Sequence, residues 1–200
     1  MTRHTSFKSR KKNSIIEKYD SSSEIYNKRY RDIQRKKFEL GFRYISFFSG
    51  VFLDAGCGTG LILDHLEKVL EHDDESRIHY VGIDISRNML LKFRLREKKS
   101  SSSIKTNIIL ADIENIPVRD NIGNAIISFT SIQNVPDFEA CFQELIRIGR
   151  DQAPFILTIL NKTINLQDLE KNLLTFLSDL KIEVRENIED AIFTGKLVKN

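Results

Sequence analysis

The segment Asp54-Ala55-Gly56-Cys57-Gly58-Thr59-Gly60 constrains this chain more than any other. It follows a short apolar run, Val51-Phe52-Leu53-Asp54-Ala55, and precedes Ile62, Leu66, Val69 and Leu70 at helical spacing. Glycines at 56, 58 and 60 let the backbone turn sharply out of a strand and approach a ligand without side-chain obstruction. The following helix then aims N–H groups and the positive end of its dipole at that ligand, which favours a carboxylate or phosphate. A strand-to-helix turn without a ligand would use the same glycines, so the meaning of the loop depends on what surrounds it.

What surrounds it is an alternation of strands and helices. Ile78 to Asp84 reads as a second strand, and Ser86 as the N-cap of a helix containing Met89, Leu90 and Phe93. Thr106 to Ala111 and Asn124 to Phe129 are the third and fourth strands. Pro136 and Asp137 open a helix whose Phe138, Phe142, Leu145 and Ile148 share a face, and Pro154 to Leu160 is the fifth strand. Leu166, Leu169, Leu173, Leu177 and Leu180 predict one further helix. Ile182-Glu183-Val184 and Ala191 to Val198 predict a hairpin-like pair turning near Asn187–Asp190. Such alternation implies a doubly wound α/β sheet, mostly parallel, with helices on both faces. Ligands of such sheets bind beyond the carboxyl ends of the strands.

Those ends are where polar residues gather. Asp84, after the second strand, can accept from both hydroxyls of a ribose, or simply cap a helix; Ile85 can pack on an adenine, or belong to the core. Asp112 can accept from an adenine amino group while Ile113 presents its N–H, although a turn aspartate is the plainer alternative. The loop Phe129-Thr130-Ser131-Ile132-Gln133-Asn134 would face the reacting end of a ligand lying along the strand ends. A dinucleotide fingerprint, G-x-G-x-x-G, needs its third glycine at position 61, where this chain has Leu61; the glycine comes one residue early, at Gly60. That spacing favours an adenosyl amino acid over a pyrophosphate-bridged cofactor.

A length of 200 residues fits one well-cored domain with a short appendage. Two cysteines, Cys57 and Cys141, without C-x-x-C spacing, and four isolated histidines argue against a disulfide framework and against a metal site. No apolar run approaches the roughly 20 residues of a membrane span, and the N-terminus has no apolar signal core. The expected setting is therefore reducing and cytoplasmic. Charge is uneven: residues 1–50 hold 13 Lys and Arg against 5 Asp and Glu, and the remaining 150 hold 18 against 23. Residues 1–14 read as a disordered basic tail, 15–49 as a helical N-terminal cap and 50–200 as the main domain. The basic arm could attract RNA, or could be only a solvated tail.

Three segments together resemble a known family. They are Leu53 to Gly60, Val81-Gly82-Ile83-Asp84-Ile85-Ser86-Arg87-Asn88-Met89-Leu90, and Ala111-Asp112-Ile113-Glu114-Asn115-Ile116-Pro117-Val118. In order and spacing they resemble class I S-adenosylmethionine-dependent methyltransferases, most of all the ubiquinone-biosynthesis-type, or methyltransferase type 11, group. The resemblance implies a Rossmann-like sheet of seven strands with the last inserted antiparallel. It implies that Gly56, Cys57, Gly58 and Gly60 line the methionine portion of S-adenosylmethionine, that Asp54 braces the loop, and that Asp84 and Ile85 hold ribose and adenine. Asp112 and Ile113 would recognise adenine, and Phe129 would complete the pocket.

Two departures bear on chemistry. Many relatives carry two histidines where this chain has Gln133-Asn134, and a Lys-Pro-Gly-Gly turn where it has Gly149-Arg150-Asp151-Gln152. No histidine general base is therefore available in that loop. The N/D-P-P-Y/F signature of many amino-group methyltransferases is also absent. Gln133, Tyr19, Tyr26 and Tyr30 are candidates for positioning an acceptor, the tyrosines alternatively packing an N-terminal helix. The acceptor itself, whether small molecule, RNA or protein, is open, as is a helper subunit completing the site. A non-catalytic module that binds the cofactor beside a partner subunit is the alternative.

Overall fold

The computed structural model describes residues 11, 12, 14, 17, 31–44, 49–70, 77–99 and 102–199. Residues 71–76, and with them the acidic run His72 to Ser76, and Tyr19, Tyr26 and Tyr30 lie outside the described residues. Helix α1 covers 31–41 and runs into a 3-10 turn, Phe42–Tyr44. Then come β1 (Gly50–Ala55), α2 (Leu61–Val69), β2 (Ile78–Asp84), α3 (Arg87–Glu97), β3 (Lys105–Leu110) and β4 (Gly123–Phe129). The chain continues with α4 (Phe138–Ile148), β5 (Pro154–Leu160), α5 (Leu166–Leu173), β6 (Leu177–Val184) and β7 (Asp190–Leu197).

The strands form one seven-stranded sheet in the order β3-β2-β1-β4-β5-β7-β6. β1 to β5 pair in parallel, and β7 runs antiparallel between β5 and β6. From β1 the chain walks outward to β3, then returns and walks the other way from β4. Crossovers of constant hand therefore put helices on opposite faces of the two halves. On one face Phe38, Phe42, Leu66, Leu90 and Phe93 pack with Phe52, Tyr80, Ile127 and Ile156. On the other, Phe142, Leu145, Leu169 and Leu173 pack with Leu53, Ile126 and Phe155. The reversal between β1 and β4 opens a crevice at their carboxyl ends.

The predicted cap at Ser86 forms: its Oγ accepts from Met89 N at 3.2 Å. Asp137, where a helix is expected to open, also caps it, a side-chain oxygen accepting from Ala140 N at 3.1 Å. One element differs from expectation. Leu177 and Leu180 belong to β6, not to the helix with Leu166, Leu169 and Leu173. The helix ends at Leu173, where Thr175 N and Phe176 N turn back onto the carbonyls of Asn172 and Leu173. From Leu177 the backbone bonds to β7 instead. A bulge between Ser178 and Lys181, with Asp179 at φ 54°, interrupts the two-residue alternation that would have marked the strand.

The link from β3 to β4, residues 111–122, contains no helix. Its backbone is held by α4. Arg147 donates to the carbonyls of Ile116 and Val118 at 2.8 Å each and pairs with Asp120 at 2.6 Å, while Glu144 accepts from Ile116 N at 2.5 Å. This clamp fixes the loop that begins with Asp112 and Ile113.

Candidate active site

The crevice at the ends of β1 and β4 is a cleft of about 650 Å³, lined by Gly56, Gly58, Asp84, Ile85, Met89, Asp112, Ile113 and the 130–136 loop. A second hollow of about 350 Å³ shares Gly56 and Gly58 with it and continues under α1, between Gln34, Phe38, Asp54, Cys57 and Phe129.

The glycines fit that description for different reasons. Gly56 adopts φ 84°, and a Cβ there would sit 2.1 Å from Ser131 Oγ, which itself lies 3.1 Å from the carbonyls of Gly56 and Phe129. Gly58 adopts φ 54°, and a Cβ there meets nothing within 4 Å. It faces open cleft. At Gly60, φ 72°, a Cβ would strike the Phe93 ring at 2.6 Å, so this glycine is required for α2 to pack beside α3.

Asp84 holds the loop from the neighbouring strand. Its Oδ2 accepts from Gly58 N and its Oδ1 from Ser86 N, both at 2.8 Å. Asp54 lies beneath the loop, 4% exposed, and accepts from the Tyr80 hydroxyl at 2.5 Å. Burial raises its pKa to about 7; the Tyr80 hydrogen bond opposes that rise and the charge of Asp84 adds to it. Burial likewise pushes the Cys57 thiol well above its usual range.

At the far end, Asp112 Oδ1 accepts from Glu114 N at 3.0 Å, and its other oxygen pairs with the Lys12 ammonium. Lys12 also pairs with Glu114, and Lys11 donates to the Val135 carbonyl at 2.8 Å. Two residues assigned from sequence to a basic tail thus dock across the mouth of the cleft. Composition gave no sign of this, because a lysine pairs only with what the fold brings to it.

Gln133 turns its amide back onto the Thr130 carbonyl at 2.7 Å and does not line the cleft; Thr130, Ser131 and Asn134 do. Thr130, at φ 55°, belongs to a buried polar cluster that sequence reading missed. Lys37 of α1 pairs with Asp190 of β7 at 2.6 Å and donates to Thr130 Oγ1 at 2.9 Å. The hydroxyls of Thr130 and Thr158 donate to Asp190 at 2.7 and 3.1 Å. The signal available in sequence was the buried stripe of α1, in which Gln34 and Lys37 stand in line with Phe38 and Phe42. Phe38 meets the Phe129 ring edge-on at 4.8 Å, which seats α1 over the inner hollow. Among the described residues no group of His, Cys, Asp and Glu is placed to hold a metal, and no helix is long and apolar enough to cross a membrane.

Comparison with solved structures places this fold among methyltransferases. A putative S-adenosyl-L-methionine-dependent methyltransferase of Methanococcus maripaludis superposes with a TM-score of 0.73 at 18% identity, over 91% of this chain and 93% of that one. Magnesium protoporphyrin IX methyltransferase of Synechocystis, solved with bound S-adenosylmethionine, gives 0.73 at 15% identity, over 94% and 97%. The demethylmenaquinone methyltransferase of Staphylococcus saprophyticus is 30% identical over 96 residues, 48% of this chain and 38% of that protein. The chain spans about half or less of the length of the curated relatives it matches. A Methyltransferase domain model matches residues 49–193, and the chain belongs to that family.

Proposed function

We propose that this chain binds S-adenosylmethionine along the carboxyl ends of β1 to β4 and transfers its methyl group to a nucleophile seated beneath α1. The convergence of Gly56, Gly58, Asp84, Asp112 and Ile113 on one cleft carries this reading. Gly58 leaves room for close backbone approach; in this reading Asp84 takes the ribose diol, and Asp112 with Ile113 the adenine edge. Asp54 offers a carboxylate beneath the inner hollow, where a ligand ammonium would favour its ionised form.

The sulfonium supplies an already activated methyl group. What remains for the protein is orientation: nucleophile, methyl carbon and sulfur must lie in line. Phe38 and Phe129 close the inner hollow against water, and Lys37, Asp190 and Thr130 fix α1 to the ends of β4, β5 and β7. No side chain of the described wall is a histidine, so the proposed acceptor is one that reacts without a histidine base. α1 serves as the roof, in keeping with a division into an N-terminal cap and a main domain.

The test is transfer of labelled methyl from S-adenosylmethionine to fractionated cell extract, beside calorimetry with S-adenosylhomocysteine. Label in one fraction identifies the acceptor class. Cofactor binding without label in any fraction would establish the non-catalytic alternative, and absence of binding would end the cofactor reading.

A further inference from the structure

We propose that the face formed by α1, α2 and α3 docks single-stranded RNA and leads it toward the cleft; this rests on the methyltransferase reading above. Among the described residues, charge differs between the two faces of the sheet. Residues 31–44, 61–70 and 87–99, which build the α1–α3 face, carry 12 Lys and Arg against 5 Asp and Glu. Of those cations only Lys37 is buried. Helices α4 and α5, on the opposite face, carry 2 against 4. Three of the five carboxylates on the basic face, Glu39, Asp64 and Glu97, already face Arg35, Arg96 and Arg94. The surplus is therefore positive and turned outward.

The cations line grooves that adjoin the site. A groove of about 710 Å³ between α1 and α2 is lined by Arg31, Arg35 and Lys68 against Glu39 and Asp64, and shares Phe38 and Leu61 with the inner hollow. A second, of about 950 Å³, is lined by Arg31, Lys92, Arg96 and Lys99 against Asp64 and Glu67, and shares Arg31 and Asp64 with the first. Arg96 donates to the carbonyl of Thr59, within the glycine loop, at 3.0 Å. The two grooves thus run from α3 past α2 to α1, beside the hollow beneath the roof.

The charge selects the partner. A flexible single strand presents a row of phosphates that can follow an outward surplus of cations from one helix to the next. A base presented to a buried methyl donor must also be unstacked, which costs least in a single strand. Among the described residues Tyr44 is the one aromatic among the large exposed apolar side chains, so contact is made to phosphates more than to stacked bases.

The experiment measures anisotropy of a fluorescein-labelled single-stranded RNA of about 15 nucleotides between 50 and 200 mM salt. The variants are the double substitution Lys92→Glu/Lys99→Glu and, as a control away from this face, Lys162→Glu/Lys171→Glu. Loss of two phosphate contacts lowers the slope of log affinity against log salt by about 1.4. The face variant should bind at least tenfold more weakly at 50 mM salt, and the control should bind like the parent. Equal binding by both variants overturns the proposal. So does displacement of the RNA by polyglutamate or by phosphatidylserine vesicles at equal charge concentration, which would assign the face to an acidic protein or a membrane. Calorimetry with S-adenosylhomocysteine is run on each variant. Failure of the unsubstituted chain to bind it refutes the methyltransferase reading separately from the RNA result.

Discussion

Asp84 Oδ2 accepts the backbone N–H of Gly58 at 2.8 Å, tying the end of β2 to the turn after β1. The same carboxylate that shapes the glycine loop is the one proposed to hold the ribose. Replacing it removes a charge-assisted contact worth about 1.5–3 kcal/mol, so Asp84→Ala should weaken S-adenosylhomocysteine binding roughly 10- to 150-fold. Calorimetry on the folded variant checks this, and unchanged affinity would remove Asp84 from the site.

Gly56 and Gly58 separate folding from binding. Gly56→Ala combines φ 84° with a Cβ driven into Ser131 Oγ, so the loop must move and thermal stability should fall. Gly58→Ala takes a left-handed conformation with empty space around the new methyl, which costs only about 1–2 kcal/mol. That methyl projects into the cleft. The expected pattern is a well-folded Gly58→Ala protein with cofactor affinity reduced at least tenfold. Full affinity in Gly58→Ala would show that the ligand does not approach this backbone.

Much of this was legible before the fold was known, for a local reason. Strands buried on both faces are near-continuous apolar runs, and Asp54, Asp84 and Asp112 stand at or just beyond strand ends where turn chemistry announces them. What was illegible is set by long-range partners. Lys37 is one lysine among many in a basic segment until β7 brings Asp190 to it, 153 residues away. Gln133 sits in the right loop but spends its amide on the Thr130 carbonyl, a choice made by the 3-10 turn. The helix assigned to Leu177 and Leu180 failed because β6 is bulged, and a bulge erases the period by which a strand is recognised.

The buried pair Lys37–Asp190 should be costly to break from one side. The side chains are 4% and 0% exposed, so Lys37→Met leaves a carboxylate buried without its cation. Losses of about 3–5 kcal/mol are typical of that situation. Lys37→Met/Asp190→Asn removes both charges and should recover part of the loss. Denaturant unfolding of the two singles and the double checks this; strictly additive losses would show that the two residues are not coupled.

Asp54 gives the protein a characteristic pH dependence. Its folded pKa is raised to about 7, against about 3.9 in an unfolded chain. A raised acid favours the protonated fold, so its contribution is complete below pH 4, declines as pH rises, and is lost by pH 7. Asp54→Asn should remove that segment of the stability profile while leaving the rest. Urea midpoints taken from pH 4 to 8 test it, and identical profiles for the two proteins would refute the buried, raised carboxyl.

Lys12 competes for the group assigned to adenine. Burial opposes its charge, yet hydrogen bonds and attraction to Asp112 and Glu114 leave its pKa raised, so it remains an ammonium at neutral pH. An ion pair of this exposure is worth up to about 1 kcal/mol, or about fivefold in affinity. If the adenine amino group uses Asp112, the cofactor must displace Lys12 or push it onto Glu114 alone. Lys12→Ala should then bind S-adenosylhomocysteine up to about fivefold more tightly at low salt. Added salt screens the ion pair and should bring the two proteins together. Weaker binding by Lys12→Ala would instead mean that the lysine holds the ligand in place, and that Asp112 serves to position Lys12.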